Sequence, residues 1–101
     1  MIKILIKKEK DKVNYIKISG HSGYADMGSD IVCASISSIC VTTVNAIVRY
    51  NEEALLYTED EGLLEMGITR HDEIIDMLVD NMIFLFENLS SQYPKNVKII
   101  K

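Results

Sequence analysis

The sequence predicts an α+β fold, with two helices packed on one face of a mixed five-stranded sheet in the order ββαββαβ. Residues 2–7 alternate Ile2, Ile4 and Ile6 with Lys3, Leu5 and Lys7, the period of two expected of a strand with one buried face. Two long segments, 31–48 and 72–93, instead repeat apolar residues three and four apart, as helices do. Short apolar runs between turn residues fill the rest of the chain, an order that suits helices segregated to one side of a sheet.

The first strand, 2–7, leads through the charged turn Lys8-Glu9-Lys10-Asp11 into a second at 13–18, making an opening hairpin. Residues 20–30, Gly-His-Ser-Gly-Tyr-Ala-Asp-Met-Gly-Ser-Asp, hold three of the five glycines and read as a loop. Ser29 or Asp30 is placed to cap the first helix, whose inner face would be Cys33, Ile36, Cys40, Val44 and Ile47. Its other faces carry no charge, so it should be covered on more than one side. Residues 55–58 and 63–68, separated by Glu59-Asp60-Glu61-Gly62, form a second hairpin. The second helix runs from about Asp72 to Tyr93, with Thr69 and Asp72 at capping-box spacing and Pro94 as its stop. Ile75, Leu78, Met82, Leu85, Phe86 and Leu89 make its apolar stripe, and residues 97–100 form the last strand.

At 101 residues, 48% hydrophobic and 26% charged, the chain reads as one folded domain, 1–101. A domain this small buries only about two-thirds of its unfolded surface, so a homodimer with an apolar interface is expected. Eleven basic against 15 acidic residues give a net charge of −4, a balance that argues against direct nucleic-acid binding. The lysine-broken N-terminal run is too short for a signal peptide, and Ser35, Ser37, Ser38, Thr42, Thr43 and Asn45 make 31–48 a poor membrane span. Cys33 and Cys40, seven apart on one helix, stand ~10.5 Å apart, beyond disulfide reach. A reduced, cytoplasmic chain is expected.

Gly20-His21, eight residues and then Asp30-Ile31-Val32-Cys33 form the chemically suggestive stretch. With Asp30 as N-cap, Cys33 is the third helical residue, in the turn where free amides and the helix dipole favour a thiolate. A histidine on a glycine-flanked loop can return to the same spot, giving a cysteine–histidine nucleophile pair. Core packing of Cys33 and a solvated His21 are the more usual account of these residue types, and a lone cysteine and a distant histidine leave the catalytic reading open on spacing alone. Cys40, mid-helix between Ile39 and Val41, reads as inert core, and His71 as part of a solvated helix start. No CxxC or HxxxH pair supports a metal site, and no basic residue or phosphate-loop pattern supports an anion cradle in 20–30, so no cofactor is expected.

The string Gly20-His21-Ser22-Gly23-Tyr24-Ala25, Gly28, Asp30-Ile31-Val32-Cys33-Ala34 and Ser37 resembles the Prp family of ribosomal-processing cysteine proteases. The resemblance implies a bacterial cytoplasmic endopeptidase, typically homodimeric, that removes a short N-terminal extension from large-subunit ribosomal protein twenty-seven. It implies a catalytic dyad of His21 and Cys33, supported by Asp30 as helix cap or as partner of His21, with oxyanion donors among amides such as those of Val32 or Cys33. It also implies an extension rich in apolar residues and cut after an aromatic one. The segment 22–29 is then expected to be a mobile substrate loop, in which Gly23 and Gly28 permit movement and Tyr24 and Met27 offer apolar cover. The competing reading is a non-catalytic, dimeric ribosome-assembly factor in which Cys33 only packs.

Overall fold

The computed structural model describes residues 1–20, 27–60 and 62–101. β1 (Ile2–Glu9) and β2 (Lys12–Ser19) pair antiparallel across a two-residue turn. Lys10 and Asp11 both take positive φ, 53° and 64°, as a type I′ hairpin turn requires. The strands therefore run further into the charged segment than their apolar residues indicate. Asn14 is an extra residue on β2, and this bulge keeps Val13 on the buried side.

α1 (Met27–Tyr50) comes next, then a single 3-10 turn at Glu52–Ala54 capped by the Asn51 side chain. β3 (Leu55–Asp60) and β4 (Leu63–Ile68) form the second hairpin, and β4 pairs antiparallel with β2. α2 (Glu73–Gln92) leads to β5 (Val97–Ile100), which pairs parallel to β1. The sheet order is β3-β4-β2-β1-β5. The mixed five-stranded sheet and two helices are those the sequence predicts.

One face of the sheet supplies Ile2, Ile4, Ile6, Ile16, Ile18, Leu55, Met66, Ile68 and Val97 to the core. Against it α1 buries Val32, Ile36, Cys40, Thr43 and Ile47, and α2 buries Ile75, Val79, Met82, Ile83 and Phe86. Both inner faces are turned from the predicted stripes: Cys33 and Val44 are only half-buried, and Leu78 and Leu89 flank the core. Along α1 the charge-free stretch 31–48 marks the phase of a 3.6-residue repeat weakly, and along α2 the apolar residues Val79 and Ile83, beside the predicted stripe, take inner positions. α1 starts at Met27, two to three residues before the predicted caps, so Ser29 and Asp30 lie inside its first turn. At α2 the cap is Asp72, whose carboxylate accepts the Ile75 amide at 2.8 Å. Thr69 takes no part in that cap; its hydroxyl donates to the Glu53 carbonyl.

Candidate active site

β2 ends at Ser19, and two backbone constraints fix the chain at the next residue, Gly20. Gly20 has φ +81°, and a Cβ there would stand 2.5 Å from the Met1 carbonyl oxygen. Its amide donates to the Gly62 carbonyl at 3.1 Å, tying the end of β2 to the turn between β3 and β4. The second turn of α1 lies over this junction. Between them is a cleft of about 360 Å³, lined by Cys33 and Ser37 of α1, Glu59, Asp60, Gly62 and Leu63 of the hairpin, and Ile2 and Ile18 of the sheet.

Cys33 is the seventh residue of α1, not the third. It therefore sits beyond the turn in which free amides and the dipole act most strongly. What its position provides is access: the thiol is half-buried and lines the cleft. Cys40, two turns on, is fully buried, and its thiol is pushed up to about 12 by burial and then by the nearby Glu59 carboxylate. The two cysteines are not bridged. Glu59 accepts a hydrogen bond from the Tyr57 hydroxyl at 2.8 Å, which fixes a carboxylate on the hairpin wall.

His21, Gly23 and Tyr24 lie outside the described residues, so the geometry of the expected dyad and most of the expected loop do too. Met27 and Gly28 belong to α1, which corrects their assignment to the loop. Asp30 is likewise helical, three residues before Cys33 in the same helix, so the cap role does not hold. The helical backbone also commits the Val32 and Cys33 amides to carbonyls four residues back, and neither is available to an oxyanion. Sequence reasoning missed the hairpin wall; Ser37, quoted only as part of the family motif, stands four residues from Cys33 and lines the same cleft. His71 is bound to Asp76 at 2.7 Å at the start of α2, as a helix-start histidine. Among the described residues, no three His, Cys, Asp or Glu side chains converge as a metal site.

The family model for cysteine protease Prp matches residues 1–98. The chain belongs to this family. It is 22% identical over 94 residues to the ribosomal processing cysteine protease Prp of Staphylococcus aureus, covering 90% of this chain and 89% of that protein. The Bacillus subtilis Prp is 28% identical over 107 residues, covering 98% of this chain and 96% of its own length. The structure of S. aureus Prp in complex with a substrate peptide superposes with a TM-score of 0.89 at 22% identity, over 98% of this chain and 97% of that one. Its complex with a covalently linked product peptide gives 0.87 at 23% identity, over 99% and 98%. A Streptococcus mutans structure gives 0.85 at 24%, over 99% and 92%. The protein is thus a Prp-family cysteine protease with the fold of these structures.

Proposed function

We propose that this protease removes the N-terminal extension of large-subunit ribosomal protein twenty-seven, with Cys33 as nucleophile and His21 as general base. The observation that carries the reading is the contrast between the thiols: Cys33 opens on the cleft, whereas Cys40 is fully buried and held protonated. His21 takes the Cys33 proton, and the thiolate attacks the scissile carbonyl. The tetrahedral intermediate collapses to a thioester as the amine leaves with a proton from His21, and water hydrolyses the thioester. Ser37, one helical turn from Cys33, brings a hydroxyl donor to the cleft for the developing oxyanion. Asp30, no longer needed as a cap, orients His21. Ile2, Ile18, Ile36, Leu63 and Leu64 give the cleft an apolar side, which suits an apolar extension.

We place the reaction in the cytoplasm, where both thiols stay reduced, and assign the working unit as a homodimer. Its support is the apolar outer surface of the helical layer, where Ile31, Val41 and Val48 of α1 and Ile74, Met77 and Phe84 of α2 are exposed. The test is incubation with the full-length precursor of that ribosomal protein from the same source, followed by N-terminal sequencing. The expected product lacks the extension, and Cys33→Ala and His21→Ala leave the precursor intact. An uncut precursor with the wild-type enzyme would overturn the substrate assignment.

A further inference from the structure

The two edges of the sheet are not alike. β5 is guarded as edge strands usually are: it is four residues long, lies just after Pro94 and carries Lys98, with Lys101 beyond its end. β3 is the other edge, and its six residues, Leu55-Leu56-Tyr57-Thr58-Glu59-Asp60, include no lysine or proline and pair with β4 without a bulge. That pairing decides which of its backbone groups stay open. The Thr69 amide donates to the Ala54 carbonyl at 2.8 Å, and hydrogen-bonded pairs recur at every second residue of an antiparallel ladder. Leu56, Thr58 and Asp60 therefore turn their amides and carbonyls towards β4, whereas Tyr57 and Glu59 turn theirs outward. Among the described residues, no backbone group pairs with Tyr57 or Glu59 on that side.

This open edge runs into the cleft. Glu59 and Asp60, at its end, line the cleft together with Cys33 and Ser37, and α1 ends beside the 3-10 turn that leads into β3, so the helix runs back along the strand. Val44, seven residues after Ser37, lies half-buried on the same flank of α1. On the strand, Leu55, Tyr57 and Glu59 face the helical layer, and Leu56, 68% exposed, faces away. We infer that the substrate chain beside its scissile bond docks as a sixth strand on β3, its main chain paired with Tyr57 and Glu59. The occupant is a polypeptide because an extended main chain offers donors and acceptors at the repeat of the open groups. It is the substrate because the edge leads to the cleft that holds Cys33, and to that extent the inference rests on the protease reading. A second copy of the chain has its own apolar surface on the outer helical faces. Six strand residues span ~20 Å, enough for five or six residues of substrate. Alternate substrate side chains meet Ser37 and Val44 on one side and Leu56 on the other, which suits an apolar segment. Only an unfolded terminus or linker can supply such a strand, so cleavage is confined to extended segments.

The test is fluorescence anisotropy of the full chain carrying Cys33→Ala with a labelled peptide that spans the expected cleavage site, and with a series of the same peptide N-methylated at one amide at a time. On one side of the scissile bond, methylation of every second amide should weaken binding at least about fivefold, the loss of one main-chain hydrogen bond, and methylation of the amides between them should leave it unchanged. Adding Glu59→Pro removes an outward amide while sparing the ladder to β4, and it should bind the unmodified peptide about fivefold more weakly than Glu59→Ala, which removes the same carboxylate. The most sensitive methyl position should also lose less in Glu59→Pro than in Glu59→Ala, because both lesions fall on one ladder. The methyl series on the parent chain stands even if the proline variant does not fold. Absence of binding, loss without alternation, equal binding by the two Glu59 variants when both are folded, or a dimer that dissociates on Glu59→Pro would each overturn the inference. Failure of the protease assignment would be seen separately, as absent cleavage by the wild-type chain of a peptide that still binds with the alternating pattern.

Discussion

Iodoacetamide at pH 7.5 should distinguish the two thiols of the folded protein sharply, because only the thiolate reacts. Burial, reinforced by Glu59, pushes Cys40 up to about 12, so about 3 × 10⁻⁵ of it is thiolate at this pH. An exposed cysteine with a pKa near 8.5 is about 10% thiolate, so ionisation alone slows Cys40 about 3,000-fold relative to the unfolded chain. Its zero exposure slows it further, since the reagent must wait for an opening of the core. Cys33 lines the cleft and is half-buried, so labelling of the native protein should stop at one adduct, mapped to Cys33. Intact-mass spectrometry with subsequent peptide mapping reads this directly. Guanidinium should release the second adduct, and native Cys33→Ala should take up none on the same timescale. A Cys40 rate in the native protein within tenfold of its unfolded rate would refute the assignment of Cys40 to an inert core position.

Gly20→Ala places a Cβ 2.5 Å from the Met1 carbonyl at a φ of +81°, so it should cost at least ~1–2 kcal/mol in urea unfolding; an unchanged midpoint would contradict the close approach. Asp76 is held below the usual carboxylate range by hydrogen bonds from Lys12 and His71. A depressed carboxylate stabilises fully above its unfolded value near 3.8, and that contribution is lost as pH falls through the lower folded value. Asp76→Asn should therefore be less stable than wild type at neutral pH and converge with it below about pH 4; parallel curves down to pH 2 would argue against the linkage. Sedimentation at micromolar concentration should give a dimer of the 11.4 kDa chain, and Val41→Glu on the exposed face of α1 should shift it to monomer. A wild-type monomer would remove the proposed assembly.

Local patterns made much of the fold readable. The bounds of β4 and β5 coincide with their apolar runs, and Pro94 lies just past the end of α2. β1 and β2 extend past theirs because Lys10 and Asp11 hold a left-handed turn that neither residue type advertises. Capping chemistry at Ser29 and Asp30 pointed to a helix start that the chain passes through, since a helix tolerates both residues in its first turn. Cys33 was legible as a candidate because its types and spacing are local. Glu59, Asp60 and Gly62 join it only through the pairing of β2 with β4, a long-range contact that no short window of sequence contains.

The most direct test of the central claim is to mix the enzyme with a peptide spanning the expected cleavage site, quench in acid within milliseconds to seconds, and map the adduct by mass spectrometry. The account predicts an acyl group of the N-terminal fragment on Cys33 as a thioester, absent from Cys33→Ala and retained in Cys40→Ala. Cleavage persisting in Cys33→Ala, or an acyl group mapped to any residue other than Cys33, would contradict it.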